Sequence, residues 1–204
     1  MSNIGILGGS FDPLHNGHMA LAQAAIDNCK INKIIFLPAR IQPFKIGRVM
    51  AGREDRINMI KIAIEGYPEF ELSRKEIDDN HISYTYNTLR KFKKIYPDDQ
   101  LFFIVGTDSF LSLDKWYNGI PLLREFSFII GDRPGYREEE KIQKLRYYKE
   151  MYGTKIILLK NEMLDISSTE IKDSIKNNID ISHLVPPNVE RYIYEHRLYQ
   201  GIYR

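Results

Sequence analysis

The sequence predicts an α/β protein in which a doubly wound parallel sheet is covered by helices. Three observations predict it: short apolar runs of strand length, longer amphipathic stretches between them, and Gly or Pro where several of those stretches stop. Strands separated by helices favour parallel pairing through right-handed crossovers, and the ligands of such sheets sit beyond the carboxyl ends of the strands.

The first strand is expected at 4–7, followed by a Gly-Gly turn and a helix over 17–28 with Leu21, Ala24 and Ala25 at helical spacing and Asn16 placed to cap it. A second strand at 33–37 leads to a helix over 53–65, where Ile57, Ile60 and Ile64 recur and Gly66 and Pro68 end the run. A short strand at 70–72 precedes a helix over 84–96 carrying Leu89, Phe92 and Tyr96 and stopped by Pro97. Strands at 101–105 and 127–130 follow, then a charged, exposed helix over 138–152 and a strand at 155–159. Two last helices are expected at 168–176 and 188–197, so residues 1–204 read as a single domain with a C-terminal helical part at about 166–204.

Of the 204 residues, 43% are hydrophobic and 12% aromatic, enough to bury a core and to exclude a disordered or fibrous chain. A formal charge of +2 is too balanced for a dedicated nucleic-acid binder but leaves room for a local basic pocket. Cys29 is the single cysteine, so no internal disulfide forms and a reducing cytoplasm is the expected location. The N-terminal residues lack a signal-peptide pattern, and apolar runs such as 101–105 fall far short of the ~20 residues that span a bilayer, so no membrane association is expected.

After the first strand comes Gly8-Gly9-Ser10-Phe11-Asp12-Pro13-Leu14-His15-Asn16-Gly17-His18. Neighbouring glycines let a backbone approach a ligand closely, although the pattern is neither a Walker A loop nor Gly-x-Gly-x-x-Gly. Asp12-Pro13 reads as a turn. His15 and His18 share one face of the first helical turn, where free N–H groups and the helix dipole already favour an anion. Two imidazoles there add donors for phosphate oxygens whose charge grows during transfer. The alternatives are a shaped turn with surface histidines, or a zinc pair whose nearest thiol is Cys29 and whose four-ligand set is not completed.

Gly106-Thr107-Asp108-Ser109, then Trp116 and Tyr117, follow the fourth strand, and Gly131-Asp132-Arg133-Pro134-Gly135 follows the fifth. By composition each is an ordinary turn; their shared position on the ligand rim makes them candidates, Trp116 as a platform for a flat heteroaromatic ring. Ser167 and Glu170 form a capping box, and Ser168, Thr169 and Lys172 add hydroxyls and a cation to a helix start suited to phosphate. The connection over 39–53 holds Arg40, Lys45, Arg48 and Arg53 and reads either as a basic lid over a triphosphate or as a solvated loop. His81, His183 and His196 belong to no constellation.

The segment from Gly9 to His18 resembles the Gly-x-Phe-Asp-Pro-x-His-x-Gly-His signature of the nucleotidyltransferase superfamily, and Ile166-Ser167-Ser168-Thr169 resembles its second signature. The middle of the chain is similar to the bacterial nicotinate-nucleotide adenylyltransferases at Ser83-Tyr84-Thr85, 103–109, Lys115-Trp116-Tyr117 and Arg133-Pro134-Gly135, as is the tail from Leu184 to Tyr199. The resemblance implies a Rossmann-like nucleotidyltransferase fold and a reaction in which ATP and nicotinate mononucleotide give nicotinate adenine dinucleotide and pyrophosphate, with Mg²⁺ held mainly by phosphates and no side-chain metal ligand. It assigns Gly8, Gly9, Ser10, Phe11, His15, His18, Gly106, Asp108, Ile166, Ser168, Thr169 and Lys172 to ATP. To the mononucleotide it assigns Ser10, Phe11, Lys45, Thr85, Trp116, Tyr117 and Arg133, with backbone donors near Thr85 and Tyr117 preferring the acid to the amide. His15, His18, Lys45 and Lys172 would serve catalysis. Two positions depart from the family pattern: Phe44-Lys45 stands where His-Lys is usual, and Lys172 where Arg is usual, which loses a bidentate fork. Rival readings are the same transfer to nicotinamide mononucleotide, phosphopantetheine or a cytidylyl substrate, or a non-catalytic nucleotide sensor; the oligomeric state, a homo-oligomer included, stays open.

Overall fold

Side chains alternate along a strand, and here that alternation divides the apolar residues into two cores. Ile4, Ile6, Ile35, Leu37, Leu101, Phe103 and Val105 pack on one face of the sheet, while Leu7, Ile34, Phe36, Phe102 and Ile104 pack on the other. The computed structural model describes residues 1–40, 51–79, 82–132, 135–159 and 164–200. Its strands are β1 (Asn3–Gly9), β2 (Lys33–Pro38), β3 (Phe70–Leu72), β4 (Gln100–Gly106), β5 (Ser127–Gly131) and β6 (Ile156–Leu159). They form one sheet in the order β3-β2-β1-β4-β5-β6 with every neighbouring pair parallel. The six expected strands are all present, as the doubly wound reading requires.

The helices are α1 (Asn16–Cys29), α2 (Arg53–Ile64), α3 (Thr85–Ile95), α4 (Thr107–Phe110), α5 (Gly119–Glu125), α6 (Glu138–Tyr152), α7 (Ser168–Lys176) and α8 (Pro187–Glu195). Leu21 and Ala25 of α1, Met59 and Ile60 of α2, Ile171 of α7 and Val189 of α8 join one core. Leu89 of α3, Phe110 of α4, Leu122 of α5 and Tyr148 of α6 join the other. Helices after β1 and after β4 therefore leave on opposite faces, and the chain reverses between these paired strands. That topological switch opens a crevice at their carboxyl ends. Among the described residues no helix is long and apolar enough to cross a membrane.

Three local expectations are corrected. Asn16 is not the cap of α1: His15 is, and the Asn16 amide instead donates to the carbonyl of His183 at 3.0 Å. The α6 helix is not simply exposed, because Tyr148 is fully buried and donates to Asp114 Oδ1 at 2.7 Å, while the Lys141 stem is covered and its ammonium reaches Asp132 at 2.6 Å. The stretch around Trp116 is more ordered than a turn, with α4, a 3₁₀ turn at Leu113–Lys115 and α5 in succession. A Cβ on Gly119 would lie 2.3 Å from the Leu113 carbonyl oxygen, so only glycine lets α5 start this close to that turn.

Candidate active site

A cleft of about 540 Å³ lies at the switch point, a volume suited to a small-molecule substrate. Its floor is Gly8 and Gly9 at the end of β1 with Val105 and Gly106 at the end of β4. Ser10, His15 and His18 form one wall, and Ile166, Ser168 and Thr169 of the second signature face the same space. Asp108 and Ser109 line it at the start of α4, and Thr85, Trp116 and Tyr117 line its far end. The two signature turns, some 150 residues apart in the chain, thus converge on one crevice. Phe11 and Lys172 are not in its wall, and Lys45 and Arg133, with the rest of 41–50, lie outside the described residues.

The His15 and His18 rings stack at 3.7 Å between centroids. The backbone N–H of His15 points to His18 Nδ1 at 3.3 Å, so Nδ1 accepts and Nε2 is the donor nitrogen of the neutral His18 ring. Beneath them Phe11 is fully buried, 4.9 Å from the His18 ring and 5.8 Å from Phe36. Its φ of 47° lies in the left-handed region, which costs a bulky residue about 1–3 kcal/mol and persists where packing over-determines it. Phe11 accordingly serves as a rigid support for the His18 ring, on which His15 stacks.

The second signature is joined to the first by side chains. Ser167 caps α7, its Oγ accepting from the Glu170 N–H at 3.1 Å, and Ser168 Oγ donates to the Pro13 carbonyl at 3.2 Å. The Lys172 ammonium lies 2.9 Å from Asp12 Oδ2. Asp12 is 2% exposed, and its other oxygen accepts from the Tyr199 hydroxyl at 2.8 Å and from the Ala51 N–H at 2.9 Å. A residue read as a turn former therefore joins its own turn to three other chain segments. Burial, with Asp12 beside it, pushes the Tyr199 phenol well above its usual range.

Arg56 was not anticipated. It is 3% exposed, with Nη1 donating to the carbonyls of Ser10 at 2.8 Å and Ala39 at 2.7 Å, so one guanidinium fixes the residue after β1, whose last residues are Gly8 and Gly9 and not the expected turn, against the residue after β2. Burial lowers its pKa, and the Asp12 carboxylate counters that shift. No sequence pattern distinguishes Arg56 from the exposed cations around it. Of the cations expected in a lid, Arg40 donates to the Asp79 carbonyl at 3.0 Å and Arg53 pairs with Asp78 at 3.7 Å.

At the far end, Thr85 is the first residue of α3, and Tyr84 before it provides no side-chain cap. The opening N–H groups of this helix are thus set out for an acceptor. Tyr84 packs on Tyr117 at 4.4 Å between ring centroids. Trp116 is held by its Nε1–H donating to Ser112 Oγ at 3.3 Å and by an edge contact with Phe103 at 6.4 Å. Among the described residues no group of three His, Cys, Asp or Glu side chains is arranged to hold a metal ion.

The chain is similar in sequence and fold to known proteins. The Cytidylyltransferase-like family model matches residues 6–174. The "Probable nicotinate-nucleotide adenylyltransferase" of Carboxydothermus hydrogenoformans is 38% identical over 199 residues, covering 98% of this chain and 98% of that protein. Its namesake from Clostridium tetani is 36% identical over 200 residues, covering 98% of this chain and 100% of that protein. The fold also matches the Plasmodium falciparum nicotinic acid mononucleotide adenylyltransferase complexed with NaAD, with a TM-score of 0.78 at 24% identity over 98% of each chain. Two signature turns meeting over a parallel sheet, together with full-length identity at this level, mean that the chain belongs to the cytidylyltransferase-like family and, within it, to the nicotinate-nucleotide adenylyltransferases.

Proposed function

We propose that the protein transfers the adenylyl group of ATP to nicotinate mononucleotide, giving nicotinate adenine dinucleotide and pyrophosphate in NAD biosynthesis. The observation that carries this reading is the single cleft in which both signature turns meet, with an aromatic, helix-capped end at Thr85, Trp116 and Tyr117. The ionised 5′-phosphate of the acceptor attacks the α-phosphorus, a P–O bond forms there, and the bond to the β-phosphate breaks with its electron pair leaving on pyrophosphate. No general base or protein nucleophile is needed; rate comes from in-line placement and from stabilising charge on the transferred and leaving groups.

In this reading Gly8, Gly9 and Ser10 let the nucleotide lie against the sheet, while Gly106 and Asp108 hold its ribose side. His15 and His18 donate to the phosphates, and Ile166, Ser168 and Thr169 meet the adenine and phosphate end. Trp116 stacks on the pyridine, and the N–H groups at Thr85 and near Tyr117 receive its carboxylate. Lys45 and Arg133 keep their roles from the family resemblance. Lys172 reaches a phosphate only by exchanging its Asp12 partner, and Phe11 acts from below. Mg²⁺ would arrive on the phosphates of ATP and neutralise part of their charge, a role that needs no side-chain cage. The apolar residues of α7 and α8 share a core with the sheet, which supports 1–204 acting as one domain, and the lone buried Cys29 is compatible with a reducing cytoplasm.

The test is pyrophosphate release from ATP with nicotinate mononucleotide, nicotinamide mononucleotide and phosphopantetheine in parallel. The proposal expects the first to be used at least tenfold better in kcat/KM. Equal or better use of another acceptor would reassign the substrate, and tight ATP binding without turnover on any of them would mark a sensor.

A further inference from the structure

A second hollow of about 240 Å³, lined by residues such as Lys75, Asp79, Asn87 and Lys91, adjoins the cleft, and the partition between the two is built from Glu76, Ser83 and Tyr84. Glu76 is only 9% exposed, and no role for it follows from the reaction as described. Its Oε1 accepts a hydrogen bond from the Thr88 hydroxyl, itself 7% exposed, inside α3. Ser83 also hydrogen-bonds the Glu76 carboxyl, and Ser83 Oγ in turn accepts from the Arg40 N–H at 3.3 Å. One carboxyl thus holds the chain on both sides of Thr85: two residues before it through Ser83, and three residues after it through Thr88.

We infer that Glu76 is a positioning residue of the mononucleotide end, fixing segment 83–88 so that the first N–H groups of α3 face the acceptor's acidic group. This inference rests on the acceptor reading given above. Burial pushes the Glu76 carboxyl above the ordinary glutamate range, and the Asp79 charge adds to this, against hydrogen bonds from Thr88 and Ser83 and the Lys91 ammonium. Either oxygen of a carboxyl has two lone pairs, so an amide oxygen in the same place can still accept both hydroxyls. Alanine leaves the buried Thr88 hydroxyl and the half-buried Ser83 hydroxyl without that acceptor.

The experiment compares wild type, Glu76→Ala, Glu76→Gln and Thr88→Val by steady-state kinetics for each substrate and by amide hydrogen exchange on the ligand-free protein. In Glu76→Ala the KM for the mononucleotide should rise about tenfold while that for ATP stays within about twofold; Glu76→Gln should return to within about threefold of wild type. Exchange should accelerate in 83–88 and not in the α7 segment 168–176. An unchanged mononucleotide KM, an equal rise for ATP, or a Gln variant as impaired as the Ala variant would overturn the inference. Should Glu76→Ala fail to fold, Thr88→Val, which removes one of the two tethers, should raise the mononucleotide KM about threefold with the ATP KM unchanged, and an unaltered value would count against it. If wild type releases no pyrophosphate with nicotinate mononucleotide, the proposed substrate falls; Glu76 is then judged by exchange alone, and unaccelerated exchange in 83–88 overturns it.

Discussion

Replacing Asp12 with Asn exposes the coupling between the two ends of the chain. The change keeps one oxygen for Tyr199 and Ala51 but turns a donor amide toward the Lys172 ammonium, 2.9 Å from the oxygen it replaces. A hydrogen bond to a charged partner is worth about 1.5–3 kcal/mol, and the Lys172 side chain, 27% exposed, can recover part of that by turning to water. The two retained bonds lose their charge assistance, and buried Arg56 loses the counter-charge beside it. Together these give about 2–4 kcal/mol of lost stability, or a fall in Tm of about 5–15 °C for a chain of this size. Urea unfolding of Asp12→Asn, Lys172→Met and the double variant measures it, with an expected coupling between the two positions of about 1–2 kcal/mol. A loss below about 0.5 kcal/mol, or strictly additive single variants, would refute the view that Asp12 ties the second signature to the first.

Two further outcomes follow from the same geometry. His18→Ala should lower kcat by one to several orders of magnitude with a Tm within a few degrees of wild type, since the imidazole is half-buried and the bond it accepts from the His15 N–H is long at 3.3 Å; pyrophosphate release and a thermal melt check both. An acid whose folded pKa is raised holds its proton more tightly in the native state, so the buried Tyr199 phenol favours folding at neutral pH and that advantage is lost as pH climbs past about 10. Tyr199→Phe should therefore flatten the alkaline fall in stability above that pH, while a variant curve parallel to wild type would contradict the burial of this hydroxyl.

The sheet was legible in the sequence because parallel strands buried on both faces read as unbroken apolar runs: 101–105 and 127–130 differ from β4 and β5 by only a residue at one or both ends. The long helices were legible through their periodicity, whereas α4 and α5 are short: α4 reads as a turn from its sequence and α5 has no reading there at all. In the site, Gly8, Gly9, His15 and His18 were legible because a glycine turn before a helix with two histidines on its first turn is rare chemistry in a short window. Trp116 and Tyr117 stood out only by residue type and by their position after a strand. Arg56, Glu76 and Tyr199 carried no such mark, since their partners are backbone carbonyls, buried hydroxyls and a carboxylate far away in sequence.

Local order sets what one segment states about itself, and on that basis the amino-acid order alone determined the six strands, the long helices, the two signature turns and the class of chemistry they serve. Tertiary structure alone decided which distant groups share a carboxylate. It paired Lys172 with Asp12 instead of leaving it in the cleft, set Phe11 under the histidines, and placed Glu76 in the partition beside Thr85. The physical reason is that a buried charge or hydroxyl must find a partner wherever the fold brings one, and sequence separation has no bearing on that requirement.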